Sequence, residues 1–337
     1  MANQANPSAL LDMMAGKWAA QAISAAAELG IADLLKDGSR PCAEIAAKIG
    51  ASEDGAYRLL RALAGLNLLT ENAPRRFALT DLGTYLRSDA EGSVRGLARF
   101  FGHEADWRPW DHLAESVQTG KPAFDMLYGK TFFDHMAAQP DLAATFHEAM
   151  TSLSLIETSA VVTAYDFRGI GKLVDVAGGH GLLLASILKA NPDMRGILFE
   201  MPHVLEGAQM LLAEHGVKSR CEVAGGDFFA AVPPGGDAYI LKHIIHDWDD
   251  ERSIRILRKC HGAMRPGGKI LLAEVVLGSG AESKFARLLD LEMLVMTQGG
   301  RERTQEEFQK LYEAAGFKLT AVVGTDTHIS IVEGVAL

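Results

Sequence analysis

The sequence is short of several things, and each shortage removes a class of explanation. Three cysteines among 337 residues, Cys42, Cys221 and Cys260, are far apart and match no metal or redox spacing. They read as reduced thiols of a cytoplasmic protein. No uninterrupted apolar run approaches the ~20 residues that span a bilayer. The opening MANQANPSALLDMMAGKW lacks a basic start followed by an apolar core, so no secretory signal is expected. There is no surplus of positive charge: 33 Lys and Arg face 43 Asp and Glu, a net −10. Nucleic acid and anionic membrane are therefore not expected partners, since both reward positive surface. No Gly-x-Ser-x-Gly elbow, His-x-x-x-His pair or cysteine cluster occurs, so neither a nucleophilic triad nor a metal is expected.

What is present is enough chain for two domains and an ordinary globular composition, 48% hydrophobic and 23% charged. Apolar residues recur at helical spacing through Leu10–Leu35, and Cys42–Gly50 reads as a short helix stopped by glycine. Ser52 is placed to cap a helix over Glu53–Leu66. Leu68–Thr70 and Arg76–Thr80 then read as two strands around a turn at Glu71–Arg75, giving residues 1–100 a winged-helix-like order. Such a domain raises the alternative of a DNA-binding regulator. Its 11 basic and 11 acidic residues leave it neutral, and the would-be recognition helix opens Glu53-Asp54, the wrong sign for phosphates. Residues 101–165 form a second helical stretch rich in aromatics and methionines.

From Leu173 the texture changes. Apolar runs at Leu173–Val176, Gly196–Phe199, Ala238–Lys242, Lys269–Val276, Phe317–Val323 and Ile329–Val332 alternate with helical segments. That is the pattern of an α/β domain, over 166–337, with a mostly parallel sheet covered on both faces. The last two runs have no helix between them and are expected to pair as an antiparallel edge hairpin.

Leu173-Val-Asp-Val-Ala-Gly-Gly-His-Gly181 is a strand running into a glycine-rich turn. A dinucleotide fingerprint wants a small residue where Leu184 stands, and Asp175 suits an ammonium group better than a diphosphate. S-adenosylmethionine has an amino group, a sulfonium and no phosphate. Glu200, one βα unit on, is placed to accept from ribose hydroxyls. Asp227 can accept from an adenine amino group and Phe228 can stack on the ring, although Phe228 serves equally well as core.

With these residues in view, the chain resembles the plant caffeate/flavonoid-type O-methyltransferases and their bacterial natural-product relatives. The likeness runs from about Trp18 to the C-terminus. It rests on Leu173–Gly181, Phe199-Glu-Met-Pro-His-Val204, Gly225-Gly-Asp-Phe228, Leu241-Lys-His-Ile-Ile-His-Asp-Trp248, Arg265–Glu274 and Gly299-Gly-Arg-Glu-Arg-Thr304. The resemblance implies a Rossmann-like, seven-stranded class I methyltransferase domain behind a winged-helix-like dimerisation domain, joined through the 101–165 linker. It implies a homodimer and S-adenosylmethionine as cofactor, leaving S-adenosylhomocysteine. Gly178, Gly179 and Gly181 would line its methionine part, Glu200 its ribose, and Asp227 and Phe228 its adenine. Lys242 and Trp248 would lie beside it, and Ser154 would reach its carboxylate. Three departures stand out. Ala177 replaces the family's first glycine, tolerable if φ stays negative; Glu200 replaces the plant Asp; and Leu153 and Glu292 replace substrate-contacting residues of other types, which puts the plant substrates in doubt.

Methyl transfer to oxygen needs an aligned and deprotonated acceptor. A histidine alone at such a position more often caps a helix or packs in the core. The surrounding motif, at the carboxyl edge of the sheet, makes His246 the expected general base, and the resemblance sets Glu274 and Glu302 against it. His243 reads as structural, His180 as packing or solvent-facing, and Asp247 and Asp250 as cap and surface charges. Met126, Met136, Phe146, Met150, Met293 and Met296 are candidates for the wall around a small aromatic acceptor, with Leu153 beside them; for any one of them ordinary core packing is the commoner role. Glu292 is left between solvent and an arginine partner. N-methylation, decarboxylation and hydroxylation on the same fold remain alternatives. The dense apolar face of Leu10–Leu35 points to a dimer interface; the resemblance implies that, in the family's dimer, Met13 or Met14 would reach the partner's pocket.

Overall fold

The structure, a computed structural model, describes residues 6–278 and 284–337. Its contacts divide the chain into two units. One runs to Arg108 and adds Met136–Leu153; the other is Pro109–His135 with Ser154–Leu337. The helical stretch at 101–165 is thus shared between them.

In the first unit, helices Pro7–Met14, Gly16–Glu28, Cys42–Lys48 and Glu53–Gly65 accompany a small antiparallel sheet of β1 (Arg40–Pro41), β2 (Leu69–Ala73) and β3 (Arg76–Leu79), in the order β1-β3-β2. Ser52 Oγ accepts the Gly55 N–H, as a capping serine should. The hairpin turn is shorter than the sequence suggested. β2 continues to Ala73, leaving Pro74 and Arg75 to turn the chain, with Arg75 at φ +56°. Ile31, Leu35, Ile45, Leu60, Leu63 and Phe77 fill the core. Leu10, Leu11, Met13, Met14 and Trp18 stay exposed, Trp18 by 76%.

The second unit is built on β4 (Lys172–Val176), β5 (Arg195–Glu200), β6 (Cys221–Gly225), β7 (Ala238–Lys242), β8 (Lys269–Leu277), β9 (Arg303–Thr304), β10 (Phe317–Gly324) and β11 (Ile329–Ala336). Seven strands run in the order β10-β11-β8-β7-β4-β5-β6, with β9 paired beside β8. β8 through β6 are parallel, and β10 and β11 form the expected antiparallel edge hairpin. Alternate strand residues serve opposite faces. Leu173, Leu198, Ile240 and Leu271 lie in one core, Val174, Ile197, Tyr239 and Ile270 in the other. Burial on both faces explains why these strands read as unbroken apolar runs. The chain reverses direction across the sheet between β4 and β7. At such a point the connections diverge and leave a crevice at the carboxyl ends of the strands. Among the described residues, no helix is long and apolar enough to cross a membrane.

Candidate active site

Asp175, Ala177–Gly181, Glu200, Asp227, Lys242, His246 and Glu274 all gather at that carboxyl edge. β4 ends at Val176 and the chain turns at once. Ala177 has φ +57°, which corrects the expectation of a negative φ: the turn demands the left-handed region whatever residue stands there. Gly178 is fixed by space, since a Cβ would lie 2.4 Å from Asp175 Oδ2. Asp175 is 1% exposed, and its Oδ2 has no hydrogen-bond partner among the described residues. Burial pushes its carboxyl up to about 7, partly opposed by Lys242 and reinforced by Glu200. Glu200 accepts the Gly179 N–H at 3.0 Å and the Met201 N–H at 2.7 Å, so the second acidic group is tied to the same turn. Asp227 is exposed and accepts the Phe229 N–H at 2.8 Å. Phe228 is half-buried, its ring 6.2 Å from that of Trp248 and nearly perpendicular. Lys242 Nζ donates to Ser154 Oγ and to Glu157 Oε2, both at 3.1 Å. Solvent-facing His180 takes no part. An orphaned buried carboxylate beside a turn that only glycine fits suits a ligand ammonium group, and the residues present fit the expected cofactor.

The other end is organised by β7 and β8. His243 leaves β7 at φ +53°, and its N–H returns to Ala273 O. Glu274 lies within β8, which runs on to Leu277 because β11 and β9 still pair with it there. β7 has by then turned away, its last pair being Lys242 with Ala273. Glu274 Oε1 accepts the N–H groups of Ile244 and Ile245, at 3.0 and 2.8 Å, and so holds the short turn that carries His246. His246, 9% exposed, has Nδ1 at 2.8 Å from Glu302 Oε1. Glu274 Oε2 is 3.9 Å from the same nitrogen, too far for a hydrogen bond, so the two carboxylates act on the ring unequally. Burial opposes a charged imidazole, but Glu274, Asp247 and Glu302 outweigh it and raise His246 to about 10.

The neighbouring aspartates differ from expectation. The cap of helix Asp250–Ala263 is Asp249, whose Oδ1 accepts the Arg252 N–H. Asp247 instead faces His246, Oδ1 at 3.7 Å from its Nε2, and burial lifts it to about 6 against the pull of His246. Asp250, though exposed, accepts from Arg303 Nη2 at 2.8 Å. Arg303, 1% exposed, also donates to the carbonyls of Ile245 and Trp248, clamping the turn that carries His246 from outside. Neither Arg303 nor Glu157 was singled out from sequence. Glu157 is the one charged residue in the second half of its helix, Leu153–Ala164, and that was the available signal.

The acceptor-wall candidates fall in both units. Met293 and Met296 are buried on helix Lys284–Met296, and half-buried Met126 lines an open cleft of about 530 Å³ with Lys121, Asp125, Arg252 and Gln298. Met136, Phe146, Met150 and Leu153 belong to the first unit, where Phe146 packs edge-on against Phe100 at 5.3 Å. Glu292 accepts from Trp110 Nε1 at 2.6 Å.

Comparison with known proteins bears on this geometry. Residues 110–318 match the model of the O-methyltransferase domain, and residues 11–89 that of the O-methyltransferase dimerisation domain. The phenazine O-methyltransferase of Lysobacter antibioticus is 44% identical over 97% of this chain and 95% of its own. The 3-amino-4-hydroxybenzoate 4-O-methyltransferase of Streptomyces cremeus is 40% identical over 95% of this chain and 88% of its own. A methyltransferase of calicheamicin biosynthesis, solved with S-adenosylhomocysteine bound, covers 100% of both chains at TM-score 0.89 and 34% identity.

Proposed function

The chain belongs to the O-methyltransferase family and is an S-adenosylmethionine-dependent methyltransferase with that family's dimerisation domain, and from this premise we propose that it methylates a phenolic hydroxyl of a small aromatic natural product, with His246 as general base. The observation that carries the proposal is the buried His246–Glu302 pair standing at the same sheet edge as the glycine turn.

The cofactor, when bound, supplies a methyl group already activated on a sulfonium. The protein's part is binding, alignment and one proton. Asp175 receives the amino group, Glu200 the ribose hydroxyls, Asp227 and Phe228 the adenine, and Gly178, Gly179 and Gly181 allow the close approach. Ser154, Lys242 and Trp248 complete that side. Glu302 holds Nδ1 of His246, which leaves Nε2 to take the hydroxyl proton as the acceptor oxygen attacks. A free phenol, pKa ~10, is mostly protonated at neutral pH. His246, itself raised to about 10, takes the proton from its neutral form, so turnover grows as pH rises towards that value. Met126, Met293 and Met296 are proposed to contact the acceptor's ring.

No metal takes part. The atoms that His243, His246 and Glu274 offer lie within 4.8 Å of one another, but Nδ1 of His246 is already paired with Glu302 and Nε2 is reserved for the hydroxyl proton. Full turnover after chelation is expected, and turnover restored only by an added divalent ion would refute this. The assembly is a homodimer through the exposed face of Leu10, Leu11, Met13, Met14 and Trp18. Light scattering should give twice the 36.2 kDa chain mass, and a monomer at micromolar concentration would count against it. The decisive experiment is a panel of phenols, anilines and aromatic acids with methyl-labelled cofactor. Label on oxygen is expected; label confined to nitrogen, or decarboxylation without label, would replace this function.

A further inference from the structure

Glu157 has no part in the mechanism above, yet it is only 4% exposed on helix Pro140–Ala164. Its two oxygens go to consecutive residues of one loop. Oε2 accepts from Lys242 Nζ at 3.1 Å and Oε1 pairs with His243 Nε2 at 2.8 Å. Ser154, about one helical turn earlier, accepts from the same ammonium. Lys242 ends β7, and its charge acts on Asp175 across the switch point. His243 opens the turn that ends at His246, in a left-handed conformation that a side chain resists, and its ring lies 5.0 Å from the ring of His246. Burial works against a charge on Glu157, but His243 and Lys242 outweigh it and hold the carboxyl down at about 2. An ionised carboxylate only accepts, so a neutral His243 must carry its proton on Nε2.

We propose that Glu157 is a positioning residue for both halves of the reaction: one buried carboxylate fixes the Lys242 ammonium on the cofactor side and, through His243, the turn that presents His246. The inference rests on the reading of Lys242 as a cofactor neighbour and His246 as the base. Geometry explains why a carboxylate is required. A glutamine has one accepting oxygen for two donors, so its NH2 faces either the ammonium or His243, and His243 relieves the conflict only by moving its proton to Nδ1.

The test reads the two halves separately. Glu157→Gln should weaken S-adenosylhomocysteine binding, measured by calorimetry, and lower kcat, each by about 10-fold, the worth of a hydrogen bond to a charged group. KM for the acceptor should change little. Glu157→Asp keeps both oxygens on a shorter stem and should recover part of each loss. Lys242→Met should weaken cofactor binding more than it lowers kcat, and His243→Gln should lower kcat more than it weakens binding. Added to Glu157→Gln, each should then cost little more. Nitrogen-15 NMR of the free enzyme should find His243 as the Nε2–H tautomer, and that signature should be lost in Glu157→Gln. Wild-type binding and kcat in Glu157→Gln would overturn the proposal, as would single-variant losses that simply multiply. If Glu157→Gln does not fold, Glu157→Asp with an unchanged His243 tautomer and unchanged kinetics overturns it equally. Failure of the base assignment would look different: His246→Gln would keep its turnover while Glu157→Gln still weakened cofactor binding.

Discussion

Asp175 at the end of β4 and the carboxylates around His246 are buried alike, 1% exposed against 0% for Glu274 and 2% for Glu302, but the protein treats them differently. At the base end each carboxylate already has work. Glu302 holds the imidazole and Glu274 holds two backbone N–H groups. At the cofactor end Asp175 Oδ2 has no partner among the described residues, and the nearest cation, Lys242, is tied to Glu157. All three keep one oxygen without a partner among the described residues, Glu274 Oε2 and Glu302 Oε2 as well as Asp175 Oδ2. The difference lies in the other oxygen: Glu302 and Glu274 spend theirs on His246 and on the turn that carries it, and Asp175 holds neither. Preorganisation therefore favours the chemical step, and the Asp175 carboxylate favours binding.

The strongest way to break this contrast is His246→Gln. Turnover on a phenol should fall by about 10² to 10⁴, the usual worth of general-base catalysis. Affinity for S-adenosylhomocysteine should be unchanged by calorimetry, because nothing at the cofactor end depends on the imidazole. Full turnover, with methyl transfer rate-limiting, would mean that alignment alone suffices. Asp175→Asn tests the other end and should cut cofactor affinity by about 10- to 100-fold, from loss of a charge-assisted hydrogen bond. The same change should stabilise the unliganded protein. Its folded carboxyl titrates at about 7 against ~3.9 unfolded. The folded state thus retains a proton that the unfolded state has released, and stability falls as pH rises from about 4 to 7. Asparagine removes that fall, so thermal melting at pH 8 should rise while melting at pH 4 barely moves. A variant less stable at pH 8 would show that Asp175 serves the fold and not the ligand.

Glu302→Gln sharpens the comparison from inside the base. Loss of the paired carboxylate should lower turnover by about 10-fold, within the range of a charged hydrogen bond. The pH profile gives the sign. His246 is raised to about 10 by carboxylates that stabilise its charged form, so kcat/KM should climb through the alkaline range. Removing one of them lowers the pKa and moves the ascending limb to lower pH. An unmoved limb would mean that the profile reports ionisation of the acceptor itself.

The sheet was legible in the sequence where burial made it so. β7 was read residue for residue at Ala238–Lys242, because a strand buried on both faces is apolar throughout and ends where a lysine appears. Asp175, His246 and Glu302 were singled out through the motifs around them, and the structure buries all three and pairs His246 with Glu302. The capping aspartate was not. Asp247, Asp249 and Asp250 are chemically alike within four positions, and only the turn at Ile245–Asp247 decides that Asp249 caps while Asp247 faces the base. Glu157 was hidden for a different reason: its partners lie 85 and 86 residues away, and no local periodicity reports a pairing that the fold creates. The division of the chain was hidden too, since helix Pro140–Ala164 continues unbroken past Leu153.

The smallest expected effect concerns what the glycine turn costs. Ala177 sits at φ +57° directly after β4, its N–H bonded to Phe199 O, while Gly179 and Gly181 take positive φ nearby without penalty. A left-handed non-glycine residue costs roughly 1–2 kcal/mol. Replacing it by glycine returns that strain but gives the unfolded chain about 0.4–1 kcal/mol of extra freedom to lose on folding. The difference predicts that Ala177→Gly stabilises the protein by about 0.5–1 kcal/mol in a urea titration, with an unchanged m-value. Cofactor affinity should not fall, since glycine can hold the same backbone. If the variant instead lost both stability and affinity, the alanine methyl would be a packing element that keeps the turn open for its ligand. The cofactor end would then be preorganised as well, and the contrast with the base end would narrow to what the paired oxygens of Glu274 and Glu302 hold.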